Sequence, residues 1–386
     1  MAMKPVVLWS DALFFLLIAA VAGGAWWARG QEHLRLAWAR VGGSRVGMGA
    51  AAVLAVFFAI GLLDSLHYRE RLPDSGQSQS PQHGAQHSAQ YSIEVLSALD
   101  ALLLPLKTRT EKTYSAPLAT HLYAKETLED GGRGFPRLKH PGAHPLGTDK
   151  VGQDVLYLSL KSIRTGLLIG TLTTLIMLPA AVLLGILAGY AGGWVDDVIQ
   201  YLYTTLNSIP GVLLIAAAVL MMQVVIDTHP GWFATAAERA DARLLALCAI
   251  LGVTSWTGLC RLLRGETLKL REMDFVQAAR AFGVSRMAIM LRHILPNVMH
   301  IVMIALVMDF SGLVLAEAVL SYVGIGVDPN TISFGAMINT ARMELAREPM
   351  VWWSLASAFS FMFVLVLAAN LFADVVRDAF DPRAAR

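Results

Sequence analysis

Hydrophobic positions along the 386-residue chain gather into seven long runs, near residues 6–27, 46–66, 165–191, 198–226, 244–260, 298–325 and 350–373. A helix that crosses the hydrocarbon core of a bilayer needs about 20 predominantly apolar residues, and each run falls in or above that range. The third, fourth, fifth and seventh contain no Asp, Glu, Lys or Arg. Lipid offers no water to backbone amides and carbonyls, so such runs are expected as α-helices that close their hydrogen bonds internally. The expected fold class is all-α: a polytopic helical membrane protein of about seven transmembrane helices.

The polar stretches between the runs predict an orientation. Arg29, Arg35, Arg40 and Arg45 lie between the first two spans, and seven Lys or Arg lie from Arg261 to Arg292. Basic short loops stay on the cytoplasmic side, which puts the N-terminus outside and the C-terminus inside. The first run is expected as a retained span rather than a cleaved signal. Asp11 interrupts its start, and Trp26 and Trp27 stand where small cleavage residues belong. Residues 67–164 are then outside. Their tract SGQSQSPQHGAQHSAQ is too polar to bury a core and suits a linker, whose His83 and His87 read as incidental. After it, Ile93, Leu96, Leu99 and Leu103 follow helical spacing and predict a short interfacial helix. In HPLGTDKVGQDVLYLSLKSIRTG, Pro145 and Gly147 predict a turn. Thr148 or Asp149 is the expected cap of an amphipathic lead-in lined by Leu156, Leu160 and Ile163.

Composition agrees with a membrane protein. The chain is 55% hydrophobic and 16% charged, against about 25% charged in a soluble average, and its mean hydropathy is +0.54. A net charge of +2 is too small to imply a polyanionic partner for the whole molecule. Cys248 and Cys260 form no CxxC pair and read as buried small side chains.

Polar residues inside the spans are the candidates for a path. Asn207 and Ser208 precede Pro210, which removes a backbone donor and weakens the helix locally. Asp309 and Glu317 lie eight apart, on one helical face. Intramembrane carboxylates are costly and face a bundle interior or water, so these four are either path-lining or bundle-stabilising. Catalytic signatures are missing from the sequence: it has no HExxH, no GxSxG between strand and helix and no Walker A. The expectation is a non-enzyme, with any ATP bound by another subunit.

FVQAARAFGVSRMAIMLRHILP, residues 275–296, reads as a helix-turn-helix, with Gly283 at the turn, Ser285 opening the second helix and Arg280, Arg286 and Arg292 available to phosphates. Only about 35 residues separate the flanking spans, too few for a third helix and an independent core, and Glu266, Glu272 and Asp274 dilute the charge. No nucleic acid is therefore expected, although a membrane-tethered DNA-binding regulator is the rival from another class. A rigid hairpin at a membrane face better suits a docking knob. Ala278, Ala279 and Ala281 permit close approach, and Phe275, Phe282, Met287 and Ile289 offer apolar contact.

The same stretch resembles the EAA loop of ABC-importer permeases, a pattern of Glu-Ala-Ala, three residues, Gly, nine residues and Ile-x-Leu-Pro. Here Gln277, Ala278, Ala279, Gly283, His293, Ile294, Leu295 and Pro296 hold that spacing, with Gln277 in place of Glu and His293 in place of Ile. HPLGTDKVGQDVL, with Gln153 where Arg is usual, LAGYAGGWVDDVIQ, LSYVGIGVDPNTISFGAMI and VRDAFDPR are similar to successive landmarks of the C-type permeases of dipeptide, oligopeptide and nickel importers. The similarity runs from about His144 to Arg383. Such permeases carry one span before the outer segment, whereas this chain shows two.

The resemblance implies a type I importer permease core at 144–386, preceded by a pair of helices at 1–66 and a periplasmic segment at 67–143. It implies ATP-driven import of di- or oligopeptides across a bacterial inner membrane, with a nickel or metal-chelate importer as the alternative. The implied partners are a second permease, two cytoplasmic ATPases that bind ATP and Mg, a periplasmic binding protein and membrane lipid; this chain itself would hold no cofactor or metal. The implied coupling element is Phe275, Gln277, Ala278, Ala279, Arg280, Gly283, Arg286, Leu295 and Pro296. Closure of the ATPases would move the spans on either side of it and switch access.

Overall fold

A computed structural model describes residues 3–28, 30, 32–71, 91–92, 94–127, 132–233, 235–328 and 331–380. The Gln/Ser/His tract, with His83 and His87, and Ile93 lie outside the described residues. Fifteen helices follow in order among the described residues: α1 (Trp9–Ala28), α2 (Glu32–Gly43), α3 (Arg45–Ser65), α4 (Ala98–Leu102), α5 (Leu104–Thr108), α6 (Val155–Ala191), α7 (Gly193–Ser208), α8 (Gly211–Thr228), α9 (Ala236–Ser255), α10 (Thr257–Arg271), α11 (Asp274–Ala281), α12 (Arg286–Ile289), α13 (Leu295–Val323), α14 (Phe334–Glu344) and α15 (Trp353–Phe380). Two small antiparallel sheets accompany them. In one, β1 (Met3–Val6) pairs with β2 (His67–Glu70), which pairs with β3 (Leu96–Ser97); in the other, β4 (Glu126–Thr127) pairs with β5 (Arg133–Gly134).

Among the described residues, six helical stretches are long and apolar enough to cross a membrane: Arg45–Ser65, Val155–Ala191, Gly211–Thr228, Ala236–Arg271, Arg286–Val323 and Trp353–Phe380. The first expected span is α1, a 20-residue helix whose Trp9–Ala19 part counts among the shorter apolar helices of the described residues. The chain is thus a multi-pass, all-α membrane protein. The fourth expected run, 198–226, is corrected: it breaks at Ile209–Pro210 into the amphipathic α7 and the span α8. Pro210 has no N–H to continue the ladder, and it instead opens α8, its carbonyl accepting the amides of Leu213 and Leu214. The interfacial helix expected around Leu96–Leu103 is also corrected. Leu96 is in β3, and α4 and α5 are two single turns that meet at Leu103, with Pro105 in the first turn of α5. The lead-in before the third span is not a separate helix, and its cap is neither Thr148 nor Asp149. Asp154 caps α6, its Oδ1 accepting the Leu156 amide at 2.8 Å.

α6 is the centre of the bundle, packed against α3, α9, α10, α13 and α15. Its Ile163, Leu167, Leu168 and Ile169 are inaccessible. It runs parallel to α9–α10 and antiparallel to α13, so the loops sort to two ends. One end carries the 272–285 connection and the α6–α7 turn, where a Cβ on Gly192 would lie 3.3 Å from Arg271 Nη1, hereafter the hairpin end; the other carries the described parts of 66–154 and 324–352, the loop end. Gly185 and Gly189 of α6 let α10 come close. A Cβ on Gly185 would lie 2.8 Å from the Cys260 carbonyl oxygen, and one on Gly189 would lie 2.6 Å from Thr267 Cβ and 2.7 Å from the Arg264 carbonyl oxygen. No side chain fits there, so backbone meets backbone, as in small-xxx-small helix contacts.

At the loop end, cations on α6 collect carboxylates from the N-terminal helices. Arg164 holds Asp11 of α1 at 2.6 Å, and Asp11 also meets His67 Nδ1 at 2.7 Å. Ser10 donates from its amide and hydroxyl to Asp241 of α9. Lys161 bridges Asp64 of α3 at 3.1 Å and Asp100 of α4 at 2.8 Å. Ser97 and Asp100 form a capping box, and the Tyr157 hydroxyl donates to Asp100 at 2.7 Å. Helix α1 is therefore built into the bundle. The 109–153 layer is fastened over α15, where Trp353 Nε1 donates to the Thr148 carbonyl at 2.9 Å and Tyr123 stacks edge-on to Trp353 at 4.8 Å.

Two outcomes are expected from this packing. Gly189→Val overfills the α6–α10 seam and should cost about 1–3 kcal/mol, read as a lower melting temperature in detergent. Gly265→Val should be near neutral because nothing lies within 4 Å of a Cβ there; equal melting of the two variants refutes the seam. The second outcome concerns acid. Burial raises the Asp100 carboxyl, but Lys161, the Ser97 amide and Tyr157 outweigh it and hold it at about 2 against an ordinary 3.8. A depressed carboxylate stabilises the fold fully above the unfolded value and loses that contribution as pH falls toward 2. The wild-type chain should lose about 2 kcal/mol more than Asp100→Asn between pH 5 and pH 2, measured by denaturant unfolding in detergent; parallel slopes would refute it.

Candidate functional site

The hairpin end is organised by the 272–296 segment. α11 begins after Met273 with Asp274 in its first turn and Arg280 in its last, the order that suits a helix dipole. Gln277 Nε2 donates to the Arg271 carbonyl at 3.0 Å and so ties α11 to the last turn of α10. α11 ends in a Schellman motif. Gly283 sits at φ 77°, its amide donates to the Arg280 carbonyl, and the Val284 amide donates to the Ala279 carbonyl at 3.1 Å. Ser285 then caps α12, accepting the Ala288 amide at 3.3 Å.

The second helix is not a separate recognition helix. α12 runs through a π-helical turn, Met290–Ile294, directly into α13. Pro296, in the first turn of α13, lacks the N–H that would bond the Arg292 carbonyl, and the Leu295 amide reaches back five residues to Met290. The hairpin is thus two rigid continuations, one of α10 and one of α13.

One side of the hairpin is anchored. Val276, Ile289 and Ile294 are buried in a cluster that includes Ile186, Leu263 and Val298, so Ile289, expected as a contact residue, belongs to the anchor. The other side is an apolar knob: Phe282 is 88% exposed, Met287 62% and Phe275 43%. Gln277, Ala278, Arg280, Arg286 and Pro296 are exposed, Leu295 is half-buried, and Ala279 turns inward. Arg280 and Arg286 make no ion pair among the described residues.

A clamp that the sequence did not suggest holds α7 along α10. Arg264 donates Nε and Nη2 to the two Asp196 oxygens at 2.5 and 2.7 Å, and the Arg261 guanidinium lies 5.2 Å above the Tyr203 ring. The hydrogen-bonded Arg264 holds the Asp196 carboxyl below its ordinary value, against burial. Acidic Asp196 early in α7 and two arginines one and four residues after Cys260 were the available signals. Pairing them required knowing that α7 folds back.

The four polar residues expected inside spans do not converge. Asn207 and Ser208 are exposed at the end of α7, where Asn207 Oδ1 accepts the Thr257 hydroxyl at 3.0 Å and the Ser208 hydroxyl donates to the Thr205 carbonyl at 2.7 Å. Asp309 is half-buried midway along α13. Glu317 is buried, accepting the hydroxyls of Ser321 at 2.7 Å and Ser333 at 2.9 Å, and so joins α13 to the cap of α14.

Known proteins are similar to this chain in sequence. A family model described as binding-protein-dependent transport system inner membrane component matches residues 181–386. The oligopeptide transport system permease protein OppC of Mycobacterium bovis is 32% identical over 246 residues, covering 64% of this chain and 78% of that relative. The glutathione transport system permease protein GsiD of Pectobacterium atrosepticum is 32% identical over 243 residues, covering 62% and 73%. The dipeptide transport system permease protein DppC of Lactococcus lactis is 31% identical over 239 residues, covering 62% and 64%. With its helical bundle and the hairpin between α10 and α13, the chain belongs to the inner-membrane permease components of binding-protein-dependent transport systems.

Proposed function

We propose that this chain is one of two permease subunits of an ATP-driven importer of short peptides, and that its 272–292 hairpin couples it to a cytoplasmic ATPase. The observation that carries the coupling role is the exposed knob of Phe275, Phe282 and Met287 on a turn that continues two long helices. Solvent-exposed aromatics beside free arginines are what a partner's cleft buries. The peptide substrate is supported by the relatives, whose names give oligopeptides, a dipeptide and glutathione.

In this reading the hairpin end is cytoplasmic and the loop end periplasmic. Two ATPases bind ATP and Mg and take up the hairpin of this chain and of a homologous second permease. A periplasmic binding protein delivers peptide to the loop end. A push on α11 reaches α10 through the Gln277–Arg271 bond and α13 through α12, and α10 carries α6 with it at the glycine seam. Glu317 then serves to join α13 to the cap of α14 rather than contacting peptide in a shared channel.

Two variants test the coupling. Gly283→Val places a β-branched residue at positive φ, a strain of about 1–3 kcal/mol confined to the turn. With ATPases, second permease and binding protein reconstituted in liposomes, it should lower peptide-stimulated ATP hydrolysis and uptake together by about tenfold while membrane insertion is normal. Full coupling in this variant would reject the hinge role. Phe282→Ala should leave the melting temperature unchanged, since the ring touches little of the fold, yet weaken ATPase binding by about 2 kcal/mol, or about thirtyfold. A pull-down with unaltered ATPase affinity would reject the knob as the docking surface.

A further inference from the structure

The mechanism leaves one built cavity unused. At the loop end, about 490 Å3 opens between the 149–153 turn, one face of α14 and the first turn of α15. That volume lies in the range of small-ligand sites and suits a peptide of two or three residues. Its wall sets opposite charges side by side, Asp149 and Lys150 from the turn and Glu344 from α14, and Ile332 and Met337 supply an apolar surface.

The polar groups there are short of partners. Asp149 Oδ1 accepts the amides of Val151 at 3.0 Å and Gln153 at 2.8 Å, yet burial outweighs these bonds and pushes the carboxyl above its ordinary value. No cation of the described residues pairs with it. Tyr114 and Ser354 are 4% and 9% exposed, and the hydroxyl of each is buried without a hydrogen bond of ordinary geometry. The Tyr114 hydroxyl faces the Glu344 carboxylate, which Arg347 meets at 3.3 Å while its guanidinium lies 5.4 Å from the centre of the Tyr114 ring. A buried hydroxyl left unsatisfied costs about 1–3 kcal/mol, so the Ser354 hydroxyl beside an Asp149 carboxylate without a cation points to an occupant.

We propose that this cavity is a binding site, within this single subunit, for a short zwitterionic peptide, with its ammonium at Asp149 and Glu344, its carboxylate at Lys150 and its backbone on the Tyr114 and Ser354 hydroxyls. The inference rests on the peptide substrate proposed above. An ion of one sign would satisfy only half of the wall, whereas a free peptide presents both charges and backbone groups for the hydroxyls between them.

The test titrates the full chain in lipid nanodiscs with dialanine and with N-acetyl-dialanine by calorimetry. Dialanine should bind, with acetylation and Asp149→Asn each weakening it about tenfold or more. Asp149 also holds its own turn, so two variants that spare the turn accompany it. Tyr114→Phe should weaken binding a few-fold without lowering the melting temperature, and Ser354→Leu, which fills the cavity, should abolish binding. Equal affinity for the two ligands, or unchanged binding by Ser354→Leu, overturns the site. ATP-driven dialanine uptake by the assembled transporter is read in parallel. Uptake without cavity binding overturns this inference alone, whereas failure to import any short peptide overturns the peptide reading as well.

Discussion

The close approach of α6 to α10 is the contact on which the rest of the bundle depends. Between apolar helices in lipid there is little hydrophobic gain, so association rests on packing and on hydrogen bonds. Gly185 and Gly189, one helical turn apart, remove the side chains that would hold the two backbones apart. The gain is mechanical as well as energetic. α10 leaves the seam only four residues after Thr267 to become the hairpin, so the hairpin's root is fixed to the most buried helix of the molecule. The Arg264–Asp196 clamp and the anchor of Val276 and Ile289 attach to the same region.

The opposite end obeys a different constraint. Lys161 and Arg164 stand in the first turns of α6, where a cation near the membrane needs a counter-charge. Asp64, Asp100 and Asp11 supply it from three different helices. Removing either member of such a pair leaves a buried charge alone, at a cost of about 3–5 kcal/mol. The N-terminal helices are thereby held by the same two side chains that start the core. Asp11, an anomaly in an apolar run, is the residue that docks α1.

Long apolar runs were legible because lipid demands them, and the hairpin was legible because Gly283 and Ser285 are local signals of a helix stop and start. What failed was whatever depended on distant partners. Residues 198–208 are as uncharged as a span, yet their polar Gln200, Thr204, Thr205 and Asn207 recur on one side of a helix, and Pro210 ends it. A hydropathy sum hides that periodicity. Leu96 and Leu103 follow helical spacing, but Leu96 pairs with Tyr68 from β2, a contact that no local pattern announces. Thr148 and Asp149 were plausible caps by type, but Asp154 takes that role and frees Thr148 to bond Thr113 and Ser115 across the outer layer. The Gly-x-x-x-Gly spacing at 185–189 was readable as a packing signal, although its partner helix was not.

Gln277 shows how a departure from a motif acquires a physical reason once the fold is known. A carboxylate at this position has only acceptors to offer, and the group it would face is the Arg271 carbonyl, also an acceptor. The amide donates instead, and the bond closes one of the orphan carbonyls at the C-terminus of α10. A negative charge beside that terminus would also oppose the helix dipole. The amide therefore fixes the angle between α10 and α11. Of the candidate contact groups, this leaves Arg280 and Arg286 as the charged ones, on either side of the Phe282 knob.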